Sequence, residues 1–140
     1  MTVVNDIADL PEHTSERDRT FLYAFLFDDI AKVGVSGNPR ERSRQHVRRY
    51  GGARGQSFLC GVVREVTLSE GAFMEKLVSG MFRHGRSPGH EWFEAAFFPM
   101  AAVLVSRGES LAAPFSEVAL EARSVAERVN VYRHIAWQAA

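Results

Sequence analysis

The stretch FLYAFLFDDIAKVGVSGNPRERSRQH, residues 21–46, decides the fold. Its first seven residues are aromatic or aliphatic without a break, the pattern of a short strand buried on both faces. Asp28 and Asp29 make a tight connection, after which Ala31, Val33 and Val35 alternate with Lys32, Gly34 and Ser36 in a second strand. A two-residue loop pairs Phe25 with Lys32 and Tyr23 with Gly34, and any symmetric lengthening of the loop keeps that register. Tyr23 and Lys32 then share a sheet face as diagonal neighbours about 7–8 Å apart along the backbone. Gly34 leaves space beside the phenol. Asn38, Pro39 and Glu41 supply an N-cap, a first-turn proline and a first-turn acid, which predicts a helix to about Tyr50, stopped by Gly51 and Gly52. On it Ser43, Val47 and Tyr50 form a thin inner stripe, and Arg42, His46 and Arg49 form a basic stripe beside it.

Outward from this stretch, residues 58–66 read as a third strand, apolar on both faces. Thr67 and Glu70 form a capping box for a helix to about Phe82. That helix is apolar around most of its circumference and is expected to be largely buried; Glu75 lies within it, where a carboxylate needs a cation to meet. After a loop at residues 84–89 come Glu91, Trp92 and Phe93, read as a packing anchor, with Trp92 also a candidate to support the outer shell of the site. Residues 95–105 and 115–138 predict two further helices, the last with Val118, Ala122, Val125, Val129, Tyr132 and Ile135 in helical phase. The expected architecture is α+β: a small three-stranded antiparallel sheet flanked by helices, with a helical C-terminal segment. Residues 1–20 read as an acidic extension, 21–106 as the domain, and 107–140 as a segment packed on that domain or forming an oligomer interface.

A chain of 140 residues with 46% apolar composition is one ordinary domain, large enough for a self-sufficient core. The single Cys60 makes no internal disulfide and points to a reducing compartment. The longest apolar run, residues 95–105, contains Pro99 and is too short for a spanning helix, so a cytoplasmic protein without a membrane anchor is expected. Charge is balanced at 17 bases against 17 acids but segregated along the chain. Residues 1–31 hold seven acids and two bases, a net of −5; residues 32–64 hold eight bases and one acid, a net of +7. Net neutrality therefore does not argue against a nucleic-acid partner, since the basic excess sits on one strand and helix. Of the 17 bases 15 are arginine, whose planar fork suits bidentate phosphate contacts, although genomic base composition would explain the bias equally well.

Phosphate-cradling glycine loops, dinucleotide fingerprints, nucleophile elbows and paired metal-binding histidines are all missing from the sequence. What remains is Tyr23 and Lys32 on one strand face, the basic helix directly after them, and Glu75. In this order, with KVGVS at residues 32–36, NPRERSRQH at 38–46, AFMEKLVSGMF at 72–82 and HEWF at 90–93, the chain resembles the GIY-YIG nuclease superfamily. It is most similar to the small phage-associated and meiotic-gene-related branch, with a Lys-Val-Gly second half-motif here and a Glu-Trp-Phe. The similarity covers about residues 21–106.

The resemblance implies catalytic roles for Tyr23, Lys32, Arg42, His46 and Glu75, with Glu75 as the metal ligand. Mg²⁺ or Mn²⁺ is the implied cofactor and DNA the implied partner, RNA remaining open. Arg42 would clamp the phosphate, and Arg40, Arg44, Arg48, Arg49 and Arg54 would track the backbone. Phe21 and Leu22 stand where the family has Gly-Ile, and Lys32 where it has a second tyrosine, which leaves the general base open among Tyr23, Lys32 and His46. The implied activity is metal-dependent hydrolysis of DNA phosphodiester bonds by water, as an endonuclease. Two rival readings are a non-cleaving nucleic-acid-binding module on the same fold and an interaction protein that forms a homodimer through its C-terminal helix.

Overall fold

The computed structural model describes residues 1–51, 57–82, 92–108 and 115–139. In strand β1 (Arg19–Phe27) every residue from Thr20 onward is buried, which requires material on both faces. Strand β2 (Ile30–Ser36) returns antiparallel beside it, with Tyr23 opposite Gly34 and Phe25 opposite Lys32, the register that the alternation predicts. Strand β3 (Phe58–Thr67) pairs antiparallel with the other side of β1. The expected three strands become four: β4 (Trp92–Glu94) adds to β2, with Lys32 opposite Trp92, giving the order β3-β1-β2-β4. A three-residue strand carries too little alternation to be read from sequence, and its ladder exists because β2 offers an otherwise unpaired edge.

Helix α1 (Pro39–His46) follows β2, with the Asn38 side chain accepting a hydrogen bond from the Glu41 amide at 3.0 Å. It runs into a π-helical turn, Val47–Gly51. Helix α2 (Leu68–Phe82) starts where the Thr67 hydroxyl accepts from the Glu70 amide at 3.2 Å. Helix α3 (Phe98–Arg107) has Pro99 in its first turn, and helix α4 (Phe115–Ala139) closes the chain. Within the described residues the molecule is thus α+β, with a helical C-terminal segment.

The period-2 alternation of β1 splits the interior in two. Leu22, Ala24 and Leu26, with Ala31 and Val33, face a large core built by α2, α3 and α4. Val118, Ala122, Val125 and Val129 of α4 are buried in that core, while Ile135 lies beyond it at 55% exposure. Tyr23, Phe25 and Phe27 face the opposite way, into a smaller aromatic cluster with Ile30, Trp92 and Leu10. Helix α2 is not largely buried as its composition suggests. Only Gly71, Met74 and Val78 are buried, and Phe73 and Met81 are each 55% exposed, because one stripe of the helix meets the sheet and nothing described covers the rest.

The N-terminal residues are built into both clusters: Val3 joins the large core and Leu10 the aromatic one. Val4 forms a reciprocal backbone bridge with Gly61 of β3, both bonds 2.8 Å. From there residues 4–12 cross to the start of α1, where the Pro11 carbonyl accepts from the Arg40 amide at 3.1 Å. No helix among the described residues is long and apolar enough to cross a membrane.

Candidate active site

Tyr23 sits at the middle of β1 on the aromatic face, directly across from Gly34. The missing side chain at Gly34 is what admits the phenol: a Cβ there would lie 2.6 Å from Tyr23 Cζ, well inside contact distance. The ring stacks on Phe25 with centroids 4.0 Å apart. Its hydroxyl meets Nε2 of His46 at 3.1 Å in a buried hydrogen bond whose direction is set by the imidazole tautomer.

His46 closes α1 and stands edge-on to Phe27 and Trp92, with centroids at 6.0 and 5.4 Å. It is 8% exposed, and burial, reinforced by the positive charges of Lys32, Arg42 and Arg49, holds its pKa down to about 3. The imidazole is therefore neutral at neutral pH. This corrects the placement of His46 on the outer basic stripe beside Arg42 and Arg49. The inner face of α1 is Pro39, Ser43 and His46, so the histidine turns inward while Arg42 and Arg49 remain exposed. Ser43, on the inner stripe as its spacing predicts, carries a buried hydroxyl without a hydrogen-bond partner among the described residues.

Lys32 is equally buried at 8% exposure, and its Nζ lies 4.9 Å from the centroid of the Trp92 ring, the residue facing it across β2 and β4. Cation–π attraction offsets part of the cost of taking an ammonium out of water. Trp92 thus touches both Lys32 and His46, which suits a residue that supports the site from its outer shell. Only the β2–β4 pairing puts it beside Lys32, and nothing in the sequence spacing signals that pairing.

Tyr23, Lys32 and His46 are brought together, with Arg42 and Arg49 close enough to act on the imidazole. Glu75 comes from a different element, α2. It is half-buried on α2, whose Met74 and Val78 pack into the core on the other side of the sheet. Gly71, one helical turn before it, abuts Val35 of β2.

Of the arginines read as backbone-tracking, Arg40 has another task. Its Nε donates to the Leu10 carbonyl at 3.0 Å, Nη2 to the Ala8 carbonyl at 2.7 Å, and Nη1 pairs with Glu12 at 2.5 Å. All three guanidinium nitrogens bond to the N-terminal segment, a structural task that the reading of Arg40 as a phosphate-binding residue did not include. Arg44 and Arg48 both pair with Glu41, at 3.8 and 2.7 Å, and remain accessible at the surface. Arg49 is exposed, and Arg54 lies outside the described residues, as do His90 and Glu91 of the HEWF stretch.

Among the described residues no group of three or more His, Cys, Asp or Glu side chains is gathered as a metal cluster. The groups acting on His46 are all cations, which suits a phosphate there better than a divalent ion. A lone carboxylate such as Glu75 suits Mg²⁺, which commonly takes one or two protein carboxylates and keeps waters in its shell. Neither a protein-family model, nor a curated protein, nor a solved structure matches the chain.

Proposed function

We propose that the protein is a metal-dependent endonuclease of the GIY-YIG type that hydrolyses DNA phosphodiester bonds with water as nucleophile. The observation that carries this reading is the buried Tyr23–His46 hydrogen bond beside three cationic side chains, Lys32, Arg42 and Arg49. A hydrolase of phosphodiesters needs an acceptor for the water's proton and a positive environment for the phosphate.

In this reading Arg42, exposed on α1, binds the scissile phosphate through its fork, and Lys32 contributes positive charge from below. Water attacks phosphorus, its proton passes to the Tyr23–His46 pair, the P–O3′ bond breaks and the leaving oxygen takes a proton from solvent. In the free protein the pair is a poor base, because the imidazole is held so far down. An arriving phosphate opposes the same three cations that help to depress it, so substrate raises the basicity of the pair as it binds. Glu75 would hold Mg²⁺ or Mn²⁺, which when bound supplies charge to the phosphate and the departing oxygen.

The test is cleavage of double- and single-stranded DNA, with RNA alongside, in Mg²⁺ or Mn²⁺ by wild type, Tyr23→Phe and Glu75→Ala. Cleavage by wild type, falling about 100-fold or more in both variants while DNA affinity stays within a few-fold, is the expected result. Salt-sensitive binding without cleavage by any of the three would replace this reading with the non-cleaving module.

A further inference from the structure

The N-terminal segment, unremarkable as sequence, is held with more care than an extension needs. Residues 4–12 begin on the outer edge of β3 through Val4 and Gly61, and end at the first turn of α1. Between these ends Leu10 is 1% exposed, inserted in the cluster that contains Tyr23, Phe25, Phe27 and Trp92. Three of those four residues are in ring contact with His46. Arg40 binds the carbonyls on either side of the insertion, those of Ala8 and Leu10, together with the Glu12 carboxylate, and its own amide takes the Pro11 carbonyl.

Four interactions from one residue, to Ala8, Leu10, Pro11 and Glu12, fix the depth to which the Leu10 side chain enters. We propose that residues 4–12 are a strap, clamped by Arg40, that seals the aromatic cluster against water and so positions the Tyr23–His46 pair; Arg40 and Leu10 are positioning residues for the site. For catalysis this rests on the function proposed above, but the positioning itself does not. The strap acts by excluding solvent and not by charge. The groups that act electrostatically on His46 are Lys32 of β2, Arg42 of α1 and Arg49 of the π turn; Tyr23 of β1 meets it through a hydrogen bond and Trp92 of β4 through its ring edge, and the strap acid Glu12 is turned to Arg40. Since burial is the largest influence holding the imidazole neutral, loosening the strap raises its basicity.

The test follows the His46 ring by NMR between pH 5 and 8 in wild type, Arg40→Met and Leu10→Ala. Arg40→Met keeps the aliphatic stem and removes the donors; Leu10→Ala keeps the clamp and removes the plug, so one remains informative should the other fail to fold. Wild type should show no titration in this range, and either variant should bring the midpoint above pH 5. Arg40→Lys, with one charge but no fork, should lie between. An imidazole that stays neutral throughout in both variants would overturn the proposal, as would unchanged protease sensitivity of residues 4–12 in Arg40→Met. These readouts need no DNA, so they fail or succeed independently of cleavage.

Discussion

Gly34 decides whether Tyr23 can occupy the face it does. A methyl group at that position would sit inside the phenol ring, 2.6 Å from Cζ, so Gly34→Ala must displace Tyr23 and break its bond to His46. A stability loss of about 1–3 kcal/mol in urea denaturation is expected from overpacking. Cleavage should fall with it while DNA binding persists. His46 carries a pH signature of its own. Its folded pKa of about 3 lies below the ordinary 6.5, so the unfolded chain takes up the proton first as pH falls. The contribution to stability is complete above pH 6.5 and is lost progressively as pH drops toward 3, at about 1.4 kcal/mol per unit. Melting temperature should decline through this window in wild type, and the decline should be shallower in His46→Gln. Identical slopes would mean that the imidazole is not held neutral by the fold.

Elements, rather than single residues, aim these side chains. The Asn38 cap and Pro39 start α1 directly after β2, and the helix must begin there for Ser43 and His46 to face inward. Asn38→Ala should cost about 1 kcal/mol and weaken cleavage more than stability, because fraying of the first turn loosens both Arg42 and the strap held by Arg40. A thermal melt paired with a cleavage assay would separate the two effects. The β1–β2 hairpin and its register were legible in the sequence, since an unbroken apolar run gives way to strict alternation across two aspartates, and that register places Tyr23 and Lys32 on one face. The buried stripe of α4 was legible for the same reason of period. What escaped was whatever lacks period: the three residues of β4, the N-terminal segment whose Val3, Val4 and Leu10 are scattered among polar residues, and the inward turn of Pro39 and His46 beside Ser43 on α1. Apolar composition misled in α2, where Phe73 and Met81 are exposed although the residues around them match a buried helix.

Across the whole molecule, the segregated charge is partly spent inside the fold. The N-terminal acids include Glu12, which neutralises Arg40, and Glu41 holds Arg44 and Arg48 on the surface of α1. The +7 carried by residues 32–64 already counts Glu41; Glu12, from outside that stretch, lowers it further, and what is presented to a polyanion differs from residue to residue. Arg42 is exposed, acts on His46, and makes no ion pair among the described residues; Arg48 would first have to give up Glu41 at 2.7 Å. These two therefore separate a phosphate clamp from a solvated helix face. If Arg42 binds a phosphate, Arg42→Met should lower the slope of log K against log salt by about 0.9 for duplex DNA, one counterion's worth, and weaken binding across all sequences alike. Arg48→Met should change the slope by much less, since an exposed pair already screens that charge and returns little when broken. Binding isotherms from 50 to 300 mM salt, measured without divalent ions so that no cleavage intervenes, would read both slopes. Equal slopes for wild type and Arg42→Met would remove Arg42 from the phosphate site and leave the basic helix as a surface for solubility.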